Sequence, residues 1–170
     1  VTAGDRALLV LTGLIFGSDI IFWHLALTYT TVADATLIAN TAPIMVALAA
    51  FMFFGERMKP LFAAGLALAI AGVASLAVQT SAGAGPVNRL LGDGFAIGAA
   101  LSYAAYLLLV SRLRRNHGTQ RIVLYTTVFS AALILPLALW ISPTMLPASA
   151  YGWSLLIALA LIGQVGGQTF

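Results

Sequence analysis

Cysteine is absent from the 170 residues. That excludes disulfides, thiolate metal sites and a cysteine nucleophile. Charge is nearly as scarce: eight Lys or Arg and five Asp or Glu make up 8% of the chain. Average soluble domains carry about 25% charge, so there is too little polar surface here to coat a globule. No HExxH, GxSxG or Walker-type glycine loop occurs, and no three metal-capable side chains cluster, so neither a catalytic nor a metal site is read. The pI near 9.7 reflects an excess of only three positive charges. These sit in short connecting loops, which excludes nucleic acid as the partner.

Apolar length is abundant instead. Hydrophobic residues form 61% of the chain and mean hydropathy is +1.02. Six apolar segments can each cross about 30 Å of hydrocarbon as helices. They cover roughly residues 7–28, 33–54, 61–79, 92–113, 121–141 and 151 to the end. The expected fold class is therefore all-α: a polytopic membrane helix bundle with the lipid bilayer as partner. Thr31-x-x-Asp34 has the form of a capping box for the second segment. The stretch around "TSAGAGP" (Thr80–Pro86) is linker-like, so 1–79, 80–91 and 92–170 are expected as first half, linker and second half. The chain opens on Val1 and stops at Phe170 within an apolar run, and it is read as a piece of a longer protein.

Lysine and arginine set the orientation, because cytoplasmic loops carry their excess. Arg6, Arg57, Lys59, Arg112, Arg114, Arg115 and Arg121 fall on one side and only Arg89 on the other. Loops 55–60 and 114–120 are thus expected to be cytoplasmic. Trp140, Tyr151 and Trp153 then fall at the outer interface. Leu11–Gly17 also echoes Leu161–Gly167 in segments that would run in opposite directions, the pattern of an inverted repeat.

Polar residues inside the spans are the candidates for function. Asp19 sits mid-span, where a carboxylate costs about 2.5–3.5 kcal/mol and is expected to face the bundle interior or a wet cavity. At about 100° per residue, Thr12, Phe16, Asp19, Trp23 and Ala26 share a face, and His24 falls with Gly13 and Gly17. Asp19 reads as a proton-coupling or cation-binding carboxylate, or else as a buried structural acceptor. His24 reads as an interhelical hydrogen-bonding group or a second coupling residue. In the second span Thr36, Asn40, Pro43 and Ala47 share a narrow, small and polar face, and Pro43 leaves the carbonyl near position 39 without its donor. In the fourth, Gly94, Gly98 and Ser102 form a small-residue ridge suited to close helix approach. Ser102, Tyr103 and Tyr106 cluster at its midpoint, where a tyrosine hydroxyl needs a partner. Gly65 and Gly72 in the third span read as packing. Glu56 reads as an interface charge, and Gln164 and Gln168 as weaker polar candidates.

"LALTYTTVADATLIANTAPIMVALAAFMFFGERMKPLFAAGLALAIAGVASL" (Leu25–Leu76) resembles the later helices of an EamA-type repeat of the drug/metabolite transporter superfamily. The carrying features are the "ALxYT" turn, Asn40-x-x-Pro43, Gly55-Glu56-Arg57 and the glycine-spaced third span. "GDGFAIGAALSYAAYLLLVSRL" (Gly92–Leu113) resembles the helix that opens the second repeat. "SDIIFWH" (Ser18–His24) is similar to a subset of the family with an acid and a Trp-His pair in its third helix. The resemblance implies ten helices in two inverted five-helix repeats, of which this chain holds the third to the eighth. It implies an inner-membrane secondary transporter exporting small metabolites or drugs by alternating access, with proton coupling and no cofactor. Asp19, Trp23, Thr36, Asn40, Pro43, Ser102, Tyr103 and Tyr106 are the residues expected to meet the solute. A membrane scaffold whose polar residues only fasten helices is the alternative.

Overall fold

A computed structural model describes residues 3–54, 60–80, 88–141, 147 and 149–166. The described residues form helices α1 (Ala3–Tyr29), α2 (Val32–Ala39), α3 (Ala42–Phe54), α4 (Pro60–Thr80), α5 (Arg89–Leu113), α6 (Thr119–Ile141) and α7 (Ala150–Ala160). A π-helical turn, Leu161–Gly166, continues α7. The expected all-α membrane architecture is what forms. Four stretches are long and apolar enough to span a bilayer: Gly4–Tyr29, Val32–Ala49, Arg89–Leu113 and Thr119–Ile141. Two shorter apolar helices, Pro60–Gly72 and Ala150–Gly163, accompany them. Glu56, Arg57, Lys59 and Gln168, and the side chain of Gln164, lie outside the described residues.

The chain divides into two compact units, Val1–Ile134 and Leu135–Phe170. Pro136 lies inside α6 close to this division, where its missing N–H removes a hydrogen bond from the helix. In the second unit, Ser149 is extended and its hydroxyl accepts from the Gly152 N–H at 3.1 Å, capping α7. Trp140, Tyr151 and Trp153 are all exposed there.

In the first unit α5 packs against α1, α2 and α3. Its pairing with α1 is antiparallel and regular. Leu9 meets Leu113 at one end, Phe16 meets Tyr106, and Ala26 clusters with Ala96. At the other end Gly92 lies against Thr30. Without a water-driven hydrophobic effect between spans, such contacts depend on close van der Waals approach, which small residues permit. The ridge that approaches is Gly92, Ala96, Ala100 and Ala104, all buried. This corrects the expected ridge: Gly94 has nothing within 4 Å, and Gly98 meets only the Phe22 ring at an ordinary 3.4 Å. Both series step by four residues, and only the partner helix selects between them. Gly65 and Gly72, expected to pack, likewise have nothing within 4 Å. Gly13 and Gly17 do face a close neighbour: a Cβ on Gly13 would lie 2.7 Å from Phe129 Cβ and 2.9 Å from the Tyr125 carbonyl of α6.

The second expected span is broken in the middle. α2 ends at Ala39 and α3 begins at Ala42. Pro43 has no N–H to reach back to position 39, so the ladder cannot continue. The turn tightens instead. The Thr41 N–H donates to the Ile38 carbonyl at 3.0 Å and its hydroxyl donates to the same oxygen at 2.6 Å. At the start of α2 the expected cap is present, with Thr31 Oγ1 accepting from the Asp34 N–H at 3.1 Å.

Glycine substitutions separate the two ridges. A Cβ at Gly92 would lie 2.6 Å from Thr30 Cβ and backbone N, so Gly92→Ala is expected to cost about 1–3 kcal/mol, the usual range for overpacking. Gly94→Ala is expected to leave stability unchanged. Thermal unfolding of the full-length protein in detergent measures both.

Candidate functional site

The face of α1 carrying Thr12, Phe16, Asp19, Trp23 and Ala26 is the one turned to α5. Thr12 and Ala26 are fully buried, and the Phe16 ring packs on Tyr106 with centroids 4.8 Å apart. Because the α1–α5 register is constant from Leu9–Leu113 to Thr30–Gly92, Asp19 lies level with Ser102 and Tyr103. Tyr103 stacks on Tyr106 at 5.8 Å. Toward the Thr30–Gly92 end, Phe22 stacks on Phe95 at 6.3 Å and covers Gly98. Asp19 and Trp23 are half-buried. Among the described residues no hydrogen bond or ion pair engages the Asp19 carboxylate. The seam thus brings a carboxylate to the level of two tyrosines, between aromatic contacts above and below. A carboxylate can accept from a hydroxyl, hold a cation or carry a proton, and tyrosine can donate to it.

His24 does not share this surface. It is exposed and lies edge-on to Trp23 at 5.7 Å. Thr36, Asn40 and Pro43, expected to share a face, lie on either side of the break and are all exposed. Asp34, Ala35 and Ala42, on the other side of α2 and at the start of α3, are buried, and so is Ala47, which follows Pro43 on its own face. The break places Asn40 at the end of α2, where helix hydrogen bonding is interrupted and polar groups can meet a solute. Ser102 is half-buried.

Two polar clusters at the ends of α1 were not among the expected site residues. At one end the Thr30 hydroxyl donates to Asp93 Oδ1 at 2.9 Å, and Arg89 Nη2 lies 3.0 Å from Asp34 Oδ2. The Asp34 side chain is only 4% exposed. A signal was available: Arg89 is the lone cation on its side, and the two acids nearest the ends of the adjoining spans are its natural counter-charges. At the other end His117 Nε2 lies 3.7 Å from Asp5 Oδ1. Arg6, Arg112, Arg114, Arg115 and Arg121 are exposed around that end. The described cations therefore divide between the ends of the bundle as the loop count requires.

Residues 3–78 match the EamA-like transporter family. Two curated relatives, both named pseudopaline exporter CntI, come from Pseudomonas aeruginosa strains UCBPP-PA14 and PAO1. They are 27% and 26% identical over 159 residues, which is 94% of this chain and 54% of each relative. The chain thus spans about half the length of the curated relatives it matches. No solved structure matches it significantly.

Cysteine replacement distinguishes a wet face from a lipid-facing one, because only a hydrated thiol ionises and reacts. In the full-length protein Asn40→Cys and Thr36→Cys are expected to react with a water-soluble maleimide about tenfold faster than Leu48→Cys, whose parent side chain is 51% exposed on α3. Equal, slow rates at all three positions would mean that the polar face looks onto lipid.

Proposed function

We propose that this multi-pass membrane chain, whose residues 3–78 match the EamA-like transporter family, is the central part of an inner-membrane secondary transporter that exports small organic solutes. In this reading it supplies helices three to eight of ten, with 1–79 closing the first repeat, 80–91 linking and 92–170 opening the second. The end bearing Arg6, Arg112, Arg114, Arg115 and Arg121 faces the cytoplasm, in keeping with the positive-inside rule. The name of the two exporters, which cover 94% of this chain, supports outward transport of a metabolite.

The observation that carries the reading is Asp19. It is half-buried in the middle of α1, turned to α5 and level with Tyr103. A scaffold would gain nothing from an acid there, since its cost is recovered only when a partner or water meets it. All eight Lys and Arg lie outside the apolar middles of the spans, and among the described residues no fixed cation neutralises the carboxylate. A proton or a positively charged group of the solute completes the site. Trp23, Tyr103 and Tyr106 supply aromatic faces, which attract cations as well as apolar rings. Asn40, Thr36, Ser102 and the carbonyl under Pro43 add hydrogen-bonding groups. Alternating access then carries this set between the two sides by rocking of the repeats. The chemistry is transport and not catalysis.

A panel of amine-bearing metabolites and drugs, screened with cells expressing the full-length protein, identifies the solute. With that solute in proteoliposomes, Asp19→Asn is expected to lower pH-gradient-driven flux at least about tenfold, the loss typical of removing a charged hydrogen-bonding partner. Asp19→Glu is expected to retain part of the flux. Gradient stimulation that is undiminished in Asp19→Asn would remove the coupling role. Asn40→Ala is expected to raise KM about three- to tenfold with kcat nearly unchanged, the mark of a lost binding contact.

A further inference from the structure

The α1–α2 turn is fastened to the start of α5 by three contacts. Arg89 Nη2 meets Asp34 Oδ2 at 3.0 Å, the Thr30 hydroxyl donates to Asp93 Oδ1 at 2.9 Å, and Gly92 lies against the Thr30 backbone. They join the α1–α2 turn to Arg89, near the end of the 80–91 stretch, and to Gly92 and Asp93 just beyond it, so they tie the first half to the beginning of the second. Asp34 is 3% exposed as a residue, while Arg89 keeps 32% of its side chain in contact with solvent. The pair therefore closes a buried interior against the outside, with the cation as its lid.

Directly beneath lie Ala26, Ala35 and Ala96, all fully buried. Alanine packing of this kind adds little directional attraction of its own and needs only close approach. The polar contacts above it are directional, and they exchange readily for water when the turn lifts, because Arg89 is already part-solvated. A removable charge pair over a dry layer of small residues is bistable in the way that switching interfaces are.

We propose that Asp34–Arg89, with Thr30–Asp93, is an outer lock, which holds the α1–α2 turn down on α5 in the outward-closed state and breaks when the transporter opens outward. The inference rests on the alternating-access reading, but its test does not require flux. In a full-length protein freed of any other cysteine, Ala96→Cys reports on the layer under the lock through labelling by a membrane-impermeant maleimide added from outside. Labelling is expected to be slow with the lock intact and about tenfold faster with Asp34→Asn or Arg89→Gln, since either substitution removes the charge pair that holds the turn on α5. The double reversal, Asp34→Arg with Arg89→Asp, is expected to return labelling to slow. A mere fastening of folded helices would lower thermal stability without raising labelling of the protein that remains folded.

Unchanged labelling in both single variants would overturn the lock, whatever the flux. Faster labelling in a protein that moves no solute would support the lock and overturn the transporter reading instead. If neither charge variant reaches the membrane, Arg89→Lys and Thr30→Val carry the test, with labelling about threefold faster expected of each from one weakened hydrogen bond. No change in either would again overturn the proposal.

Discussion

The close antiparallel seam between α1 and α5 is the contact on which the rest of the first unit depends. It runs from Leu9 and Leu113 to Thr30 and Gly92 without a change of register. Lipid tails are as apolar as leucine, so the seam is held by the fit of backbones and rings and not by expulsion of water. Gly92 and Ala96 let the helices meet at one end, and Phe16 with Tyr106 fills the middle. Everything polar in the unit is positioned by this register. It sets Asp19 beside the tyrosines, and it brings Arg89 and Asp93 under the α1–α2 turn.

The acids show how one composition serves different ends. Asp5 lies near His117 at one end, and Asp34 and Asp93 hold Arg89 and Thr30 at the other. These three lie where partners or water are close, so each is compensated locally. Asp19 lies mid-span with no hydrogen bond or ion pair among the described residues. The difference between them is depth, which sets how costly an uncompensated charge becomes. A carboxylate that the fold leaves waiting at that depth is suited to meeting something mobile.

The break at Asn40–Thr41 is the second feature that shapes the candidate site. Pro43 interrupts the ladder, Thr41 satisfies Ile38 twice, and α2 and α3 follow as separate helices. Irregular backbone at membrane depth is tolerated only where protein or a wet cavity meets it. Thr36, Asn40 and Pro43 are exposed around the break, while Asp34, Ala35, Ala42 and Ala47 are buried by protein.

The amino-acid sequence by itself determined the apolar helical segments, their approximate bounds, the donor missing at Pro43 and the end at which the cations collect, though not that the second span would break in two. These are local matters of hydrocarbon thickness, 3.6-residue periodicity and backbone donors, and each can be read within about 20 residues. It also put Asp19 on the face of Phe16 and Trp23, because a single helix decides that. Which face of α5 would be buried was not legible, since Gly92–Ala96–Ala100–Ala104 and Gly94–Gly98–Ser102 have the same spacing and differ only in what lies opposite. The partners of Arg89 and Asp93 were hidden for the same reason. Thr30 and Asp93 stand 63 residues apart, and only the meeting of two helices makes them neighbours. Burial and pairing are properties of a contact between elements, and the tertiary structure alone decides them.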